Sequence, residues 1–241
     1  FEEWGMAGFD YAVRGPDGTP GTGDEPDVIA YTTGSPSTDD GFNAMAAMLD
    51  IASERGIVVV QSAGNEVAGM YTLNGSANAR NAITVGALAA DGTINQGKVS
   101  GTSSRGPTAD LRIKPDLVAP GQNVYTTRAR TVHNQESSSY QPYTITSGTS
   151  IAVPYVAGVA ALVKQQHPDW TPEMVKAAIM NTADPLSSNR LWEQGAGSVN
   201  KDRAVATNLL ATPPSLSFGQ LALDKSGLHT ITLQNVGTHA L

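Results

Sequence analysis

Three stretches near the start of the chain leave few folds open: "DVIAYT" from Asp27, "GFNAMAAMLDIASERG" from Gly41 and "IVVVQ" from Ile57. In the middle stretch Met45, Met48, Leu49 and Ala52 fall at i, i+3, i+4 and i+7, the spacing of an amphipathic helix, and Gly56 stands where such a helix ends. The flanking runs are short and apolar, the second of them β-branched, which suits strands. Strand, helix and strand in this order form a parallel βαβ unit, because parallel strands need a crossover of this length. "AITVGA" from Ala82 and "DLVAPG" from Asp116 repeat the strand texture and close on Gly or Pro. The expectation is an α/β fold of three layers, with a mostly parallel sheet buried between helices.

Two further helices are expected after Ser150. The first, "IAVPYVAGVAAL", is apolar on all sides, which predicts a central position. The second opens at "TPEMVKAAIMNTA", with Thr171 as cap, Pro172 at the first helical position and Glu173 beside the positive end of the dipole. From about Asn208 the texture changes to a Pro pair and alternating apolar residues, "TPPSLSFGQLALDKSGLHTITLQNVG". The chain thus divides into an α/β unit, residues 1–207, and the start of an all-β sandwich, residues 208–241, too short to close alone. Its opening, "FEEWGMAGFDYAV", shows no initiator Met, charged leader or cleavage-like apolar segment, as expected of a piece of a longer protein.

Composition narrows the partners. With a formal net charge of −7 and no cluster of Lys or Arg, neither nucleic acid nor an anionic membrane surface is expected. The absence of cysteine removes disulfides and thiolate metal sites. The apolar run 151–163, interrupted by Pro154, Tyr155 and Gly158, is well short of the ~20 residues that cross a bilayer, so membrane insertion is not expected.

Parallel sheets bind ligands where loops leave the carboxyl ends of their strands. Two such loops draw attention: "SAGN" (62–65), directly after "IVVVQ", and "SGTS" (147–150), which opens the apolar helix. A serine in that position is, taken alone, most simply a helix cap, and an Asn after Gly is most simply a turn residue. Together they also offer a hydroxyl beside unpaired N–H groups at the positive end of a helix, with a carboxamide donor nearby. That is the equipment for stabilising an oxyanion.

"GTSIAVPYVAGVAAL" resembles the nucleophile segment of the subtilisin-like serine proteases, the subtilases of peptidase family S8. In the same order, "PDVIAYTTGS" is similar to their substrate-binding strand and "VVVQSAGNE" to the loop carrying the oxyanion Asn. "SSRGPT" and "KPDLVAPG" resemble the stretch between, and "GAGSVNKDRAV" the closing segment. The resemblance covers roughly residues 1–207. It implies a subtilisin-like peptidase domain, here its C-terminal part, with Ser150 as nucleophile and Asn65 in the oxyanion hole. By the same likeness Thr33, Gly34, Ser35, Ser62, Ala63, Gly64, Gly75, Ser76 and Thr149 bind substrate, a polypeptide. The trailing segment resembles the first strands of a fibronectin-III-like sandwich. Secretion or a cell-surface location is implied as well.

The family's Asp and His precede its substrate-binding strand, and nothing before Asp27 matches either segment. The resemblance therefore implies that an upstream part of the same domain supplies both, and that this chain alone is inactive. A non-catalytic, peptide-binding remnant is the rival reading, and a structural module a third. Substitute triads, Asp116–His133–Ser150 or Ser150–Asp184–His229, fail on context: "KPDLVAPG" looks structural, and the nucleophile elbow of α/β-hydrolases requires a Gly after the serine. A pocket of backbone and Gly predicts a broad or apolar substrate preference. No cofactor is expected. Relatives hold structural calcium, but Asp17, Asp24, Glu25 and Asp27 in "PDGTPGTGDEPD" follow no EF-hand spacing and read as a solvated loop. His167 reads as a helix-end residue, and Asn74 opens an N-glycosylation sequon, "NGS".

Overall fold

The computed structural model describes residues 2–89, 97–128 and 141–238. Helix α1 (Glu2–Arg14) leads to strand β1 (Val28–Tyr31), helix α2 (Ala44–Glu54), strand β2 (Val58–Ser62), strand β3 (Ile83–Ala89) and strand β4 (Leu117–Gln122). These strands form one four-stranded sheet in the order β1-β2-β3-β4, with every neighbouring pair parallel. The α/β expectation and its parallel sheet are observed.

The two central strands, β2 and β3, are buried on both faces because they carry apolar residues at successive positions. Val58 and Val60 of β2 enter one core, with Ile83, Val85, Leu117 and Ala119, while Val59 enters the other with Leu49 of α2. Phe9 and Val13, an i, i+4 pair on α1, pack into that second core, and Phe9 meets Tyr31 edge-on at 5.7 Å. The sequence pattern alone does not announce α1. α2 begins as its pattern predicts: Asn43 caps it through Oδ1, which accepts from Ala46 N, and Gly56 follows its end at φ +97°.

Strands β5 (Val124–Thr127) and β6 (Tyr143–Thr146) form an antiparallel pair that delivers the chain to α3 (Thr149–Gln166). α3 buries Val153, Val156, Val159, Ala160 and Val163 against the first core. Helix α4 (Pro172–Asn181) packs beside it, with Thr171 Oγ1 accepting from Met174 N as the sequence predicts. Short helices α5 (Leu191–Gln194) and α6 (Lys201–Ala206) follow, then the antiparallel strands β7 (Leu209–Thr212) and β8 (Thr232–Asn235).

One expectation fails. α3 is not covered on all sides: Pro154, Tyr155, Gly158 and Leu162 form an exposed stripe, with Tyr155 at 41% and Leu162 at 46% of full exposure. The apolar residues are there all round, but among the described residues only one side of the helix has a sheet to face.

At the amino ends of β3 and β4 lies a buried charge cluster that the sequence did not reveal. Asp116, 3% exposed, receives Lys114 Nζ at 2.6 Å and Thr84 N at 2.7 Å on one oxygen, and Lys176 Nζ stands 3.3 Å from the other. Burial pushes the Lys114 amine down to about 7, against the attraction of Asp116. Burial would raise the Asp116 carboxyl, but Lys114 and Lys176 outweigh it and hold the group below the ordinary carboxylate range.

Candidate functional site

The site is built at the carboxyl end of the sheet. Beyond β2 the chain turns at Gly64, whose φ of +114° a side chain rarely adopts, and presents Asn65 at the surface. Beyond β4 and β6 the chain meets Gly148, whose N–H donates to Gly121 O at 2.7 Å. Gly148 is the N-cap residue of α3 at φ +149°, and it offers no side-chain cap.

Asn65 takes over that role from a distance. Its Oδ1 accepts from Thr149 N at 2.8 Å and from Thr149 Oγ1 at 3.1 Å, while Gly64 N donates to Thr149 Oγ1 at 3.3 Å. A carboxamide whose oxygen is held this way must turn its NH₂ outward, and Asn65 Nδ2 has no hydrogen-bond partner among the described residues. A Cβ on Gly148 would lie 3.5 Å from this carboxamide, so the glycine keeps the approach open. Ser150, half-buried, is the next residue of the first turn. Its N–H belongs to the group that a helix start leaves without an intrahelical partner, and its hydroxyl bonds to none of the described residues. Pro154 removes the N–H that would close a helical bond onto the Ser150 carbonyl.

The other residues singled out by sequence form one frame beside this corner. Asn74 N donates to Ala63 O at 2.9 Å and Gly75 N to Ser35 O at 2.9 Å, so residues 74–75 tie the ends of β1 and β2 together. Ser62 Oγ donates to Thr32 O at 3.1 Å, and Ser76 Oγ to Thr33 O at 3.3 Å. Ser104, which no local motif marks, backs the loop: its N–H donates to Gly64 O, and its Oγ accepts from Glu66 N at 3.1 Å. Gln61 was a visible signal, a polar residue ending an apolar run. Buried under the frame, it donates to Ser76 Oγ at 2.8 Å. Asn74 is itself 5% exposed, and its buried side chain leaves no room for a glycan.

No substitute triad forms on these positions. Asp116 precedes β4 and lies at the amino end of the sheet, about five strand residues or roughly 17 Å from the Gly121 carbonyl that holds Gly148. Asp184 is exposed and paired with Arg203 at 2.6 Å, and His229 packs edge-on against Phe218. His167 ends the 18-residue α3, about 25 Å along the helix from Ser150, and stacks on Trp170 at 3.7 Å. His133 lies outside the described residues. A cavity of 680 Å³ lined by Arg80, Lys164, Trp170 and Pro213 opens at the far end of the sheet and contains no residue of the site.

Three of the four carboxylates of the acidic loop, those of Asp17, Asp24 and Glu25, accept from the loop itself. Glu25 accepts from the N–H groups of Gly21, Thr22 and Gly23, and Asp24 from Asp17 N and Thr22 Oγ1. The N–H groups of Glu25 itself and of Gly21 lead in holding the Glu25 carboxyl below its ordinary value. Oxygens already facing donors do not fit a calcium ion, which needs them free. Among the described residues no group of three or more His, Cys, Asp or Glu is placed to hold a metal.

A parallel sheet with a Gly-Asn loop clamped to the start of a Ser-bearing helix is a subtilisin-like arrangement. The sequence profile of the subtilase family matches residues 3–208, and the chain belongs to that family. It is 38% identical to the serine protease AprX of Bacillus subtilis over 156 residues, 62% of this chain and 35% of that protein. It is 35% identical to the subtilisin-like protease SBT4.14 of Arabidopsis thaliana over 158 residues, 62% of this chain and 21% of the relative. With the minor extracellular protease Vpr of Bacillus subtilis it shares 37% identity over 147 residues, 57% of this chain and 18% of that protein. The chain thus spans about a fifth to a third of the length of these relatives. No helix among the described residues is long and apolar enough to cross a membrane.

Proposed function

We propose that the chain is the nucleophile-bearing part of a serine endopeptidase that hydrolyses peptide bonds through an acyl-enzyme on Ser150. The observation that carries this reading is the Asn65 clamp: with Oδ1 held by Thr149, the Nδ2 donor is aimed out beside the first turn of α3. Ser150 Oγ attacks the scissile carbonyl. The oxyanion that develops takes hydrogen bonds from Asn65 Nδ2 and the Ser150 N–H, which the positive end of α3 reinforces. Thr149 is a positioning residue for Asn65. Residues 33–35, 62–64 and 75–76 hold the polypeptide substrate. No cofactor enters the reaction.

Ser150 needs a base, and among the described residues none reaches it. An upstream part of the same domain supplies the Asp and His. Two features support its docking: β1 is an edge of the sheet, and α3 carries an uncovered apolar stripe. The match to the family over residues 3–208 supports a boundary after residue 207, with 208–241 beginning a β-sandwich. The extracellular relative supports secretion or a cell-surface location. Neither nucleic acid nor a membrane is a partner in this reading.

A fluorophosphonate probe tests it, applied to this chain and to the longer protein extended upstream, each with and without Ser150→Ala. Labelling of the extended form alone, abolished by Ser150→Ala with folding intact, is the expected result. Absence of labelling in both forms would replace it with the peptide-binding reading, which the missing base already favours for the chain alone.

A further inference from the structure

The segment that follows α6 is tied to the α/β unit. Leu210 of β7 is fully buried in the first core, Asn181 Nδ2 donates to Ala211 O at 3.0 Å, and Ile113 N donates to Ser217 Oγ at 3.0 Å. Residues 209–217 form a strap over the amino end of the sheet, where the buried charge cluster lies. Between strap and cluster a cavity of 260 Å³ remains, at the opposite end of the sheet from Ser150. Arg80, Arg112, Lys114, Asp116 and Lys176 wall it from the α/β unit, and residues 213–217 and His229 wall it from the strap side.

The charges of this wall do not balance. Arg80 and Arg112 share Asp110, each with a nitrogen 2.9 Å from its Oδ2, and Lys114 and Lys176 share Asp116. Four cations thus face two carboxylates, in a chain whose formal net charge is −7. The excess is local and largely buried, where salt screens it little. Lys114 registers it: burial leads in pulling its amine down to about 7, and repulsion from Lys176 and Arg112 adds to the effect.

A ligand also needs donors that are still free. Both lysines act as fixed charges, since Lys114 Nζ is spent on Ala82 O, Thr84 Oγ1 and Asp116, and Lys176 Nζ on Arg80 O and Ala82 O beside Asp116. Arg112 keeps something back. Its Nε donates to Asp110 and its Nη2 to the carbonyls of Asp40 and Asn78, which leaves Nη1 without a partner among the described residues. Ser217 Oγ accepts from Ile113 N with its own proton unspent, and Ser215 Oγ and the His229 ring nitrogens bond to none of the described residues. Guanidinium and hydroxyl donors around a positive hollow suit an oxyanion. The volume lies below the roughly 300–1,000 Å³ of sites for drug-sized ligands, so the ion is a small one.

We propose that this cavity binds a free divalent oxyanion, phosphate or sulfate, which balances the two surplus charges and latches the strap to the α/β unit. The site is independent of the corner at Ser150 and of the reaction assigned to it.

The test is calorimetric titration of sodium phosphate and of sodium sulfate into the full-length protein, in chloride buffer of matched ionic strength. One saturable site per chain is expected, with a thermal midpoint that rises and then levels off as the site fills. The general stabilisation by excluded salts keeps growing with concentration and does not saturate. Arg112→Gln removes the free guanidinium donor and is expected to weaken binding by about tenfold, the scale of one charge-assisted hydrogen bond. Because that variant also takes donors from Asp40 and Asn78, Ser215→Asp gives a second, independent check. It brings a carboxylate to the rim, so it is expected to weaken phosphate binding by at least about tenfold and to raise the thermal midpoint in chloride alone. Amide hydrogen exchange over residues 209–217 is expected to slow in phosphate for the native protein and to stay unchanged for Ser215→Asp. Phenyl phosphate is too large for the cavity, and binding of it as tight as that of phosphate overturns the assignment to a free ion. Absence of saturable binding, or binding undiminished in Ser215→Asp, overturns the site.

Discussion

Replacing Asp116 by Ala leaves Lys114 and Lys176 buried at the base of β3 and β4 with their shared counter-charge gone. Below about pH 7, where Lys114 is charged, two ammonium groups a few ångströms apart repel by roughly 3–4 kcal/mol at an effective dielectric near 20. Breaking a buried pair from one side costs about 3–5 kcal/mol in proteins generally. Set against a total stability of about 5–15 kcal/mol, a loss of this size shifts a urea midpoint by about 2 M. The assay is equilibrium unfolding in urea, followed by tryptophan fluorescence, since Trp170 is buried in the first core. The pH dependence gives the sharper check. In the native chain Lys114 sits at about 7, far below its unfolded value, so between those values the unfolded state binds more protons and stability rises with pH. Below about 7 the native Lys114 is charged and leans on Asp116, a support the variant lacks. The gap between the two proteins therefore widens as pH falls from 7 toward 5 and narrows above 7. The Asp116 carboxyl, lowered in the fold, adds stability that is lost only as pH falls through its own depressed value. A gap under about 1 kcal/mol, constant across this range, would refute the reasoning.

Two substitutions at the site have separable outcomes. Gly64→Ala forces a side chain at φ +114° into Asn74 and Ser104, and is expected to cost about 2–4 kcal/mol in thermal or chemical unfolding. Thr149→Val keeps the shape but takes one donor from Asn65 Oδ1 and the acceptor of Gly64 N, costing about 1–2 kcal/mol. On the proposed reading, in which Asn65 serves the transition state, the substitution in the full-length protein should lower kcat more than it changes KM; a pure KM effect would assign Thr149 to substrate binding.

What the sequence showed was local. The period of Met45, Leu49 and Ala52, the cap at Thr171 and the apolar run of β2 each sit in a few adjacent residues, and each appears in the structure where the pattern put it. α1 escaped because its core stripe of Met6, Phe9 and Val13 is masked by Trp4 and Tyr11, large residues that stay exposed. The exposure of α3 was illegible for another reason: an all-apolar helix states what it could bury without stating what surrounds it. Nor could "KPD" announce a three-charge cluster whose third member, Lys176, stands on a helix sixty residues downstream. At the site, the motifs pointed to Asn65 and Ser150, but the carboxamide clamp and the packing of Asn74 against Gly34 and Gly64 depend on contacts between segments far apart in the chain.

The bond between Asn65 and Thr149 joins residues 84 positions apart, and it is at once the cap of a helix and the aiming device of a donor. Closing so long a loop belongs to the non-local, slower part of folding. A nascent or unfolded chain therefore carries its serine harmlessly. The hydroxyl becomes part of a working corner only when the sheet beneath it has been laid down, and any event that frays the first turn of the helix dismantles the corner in the same motion. On the proposed protease reading, competence and completed folding are a single event.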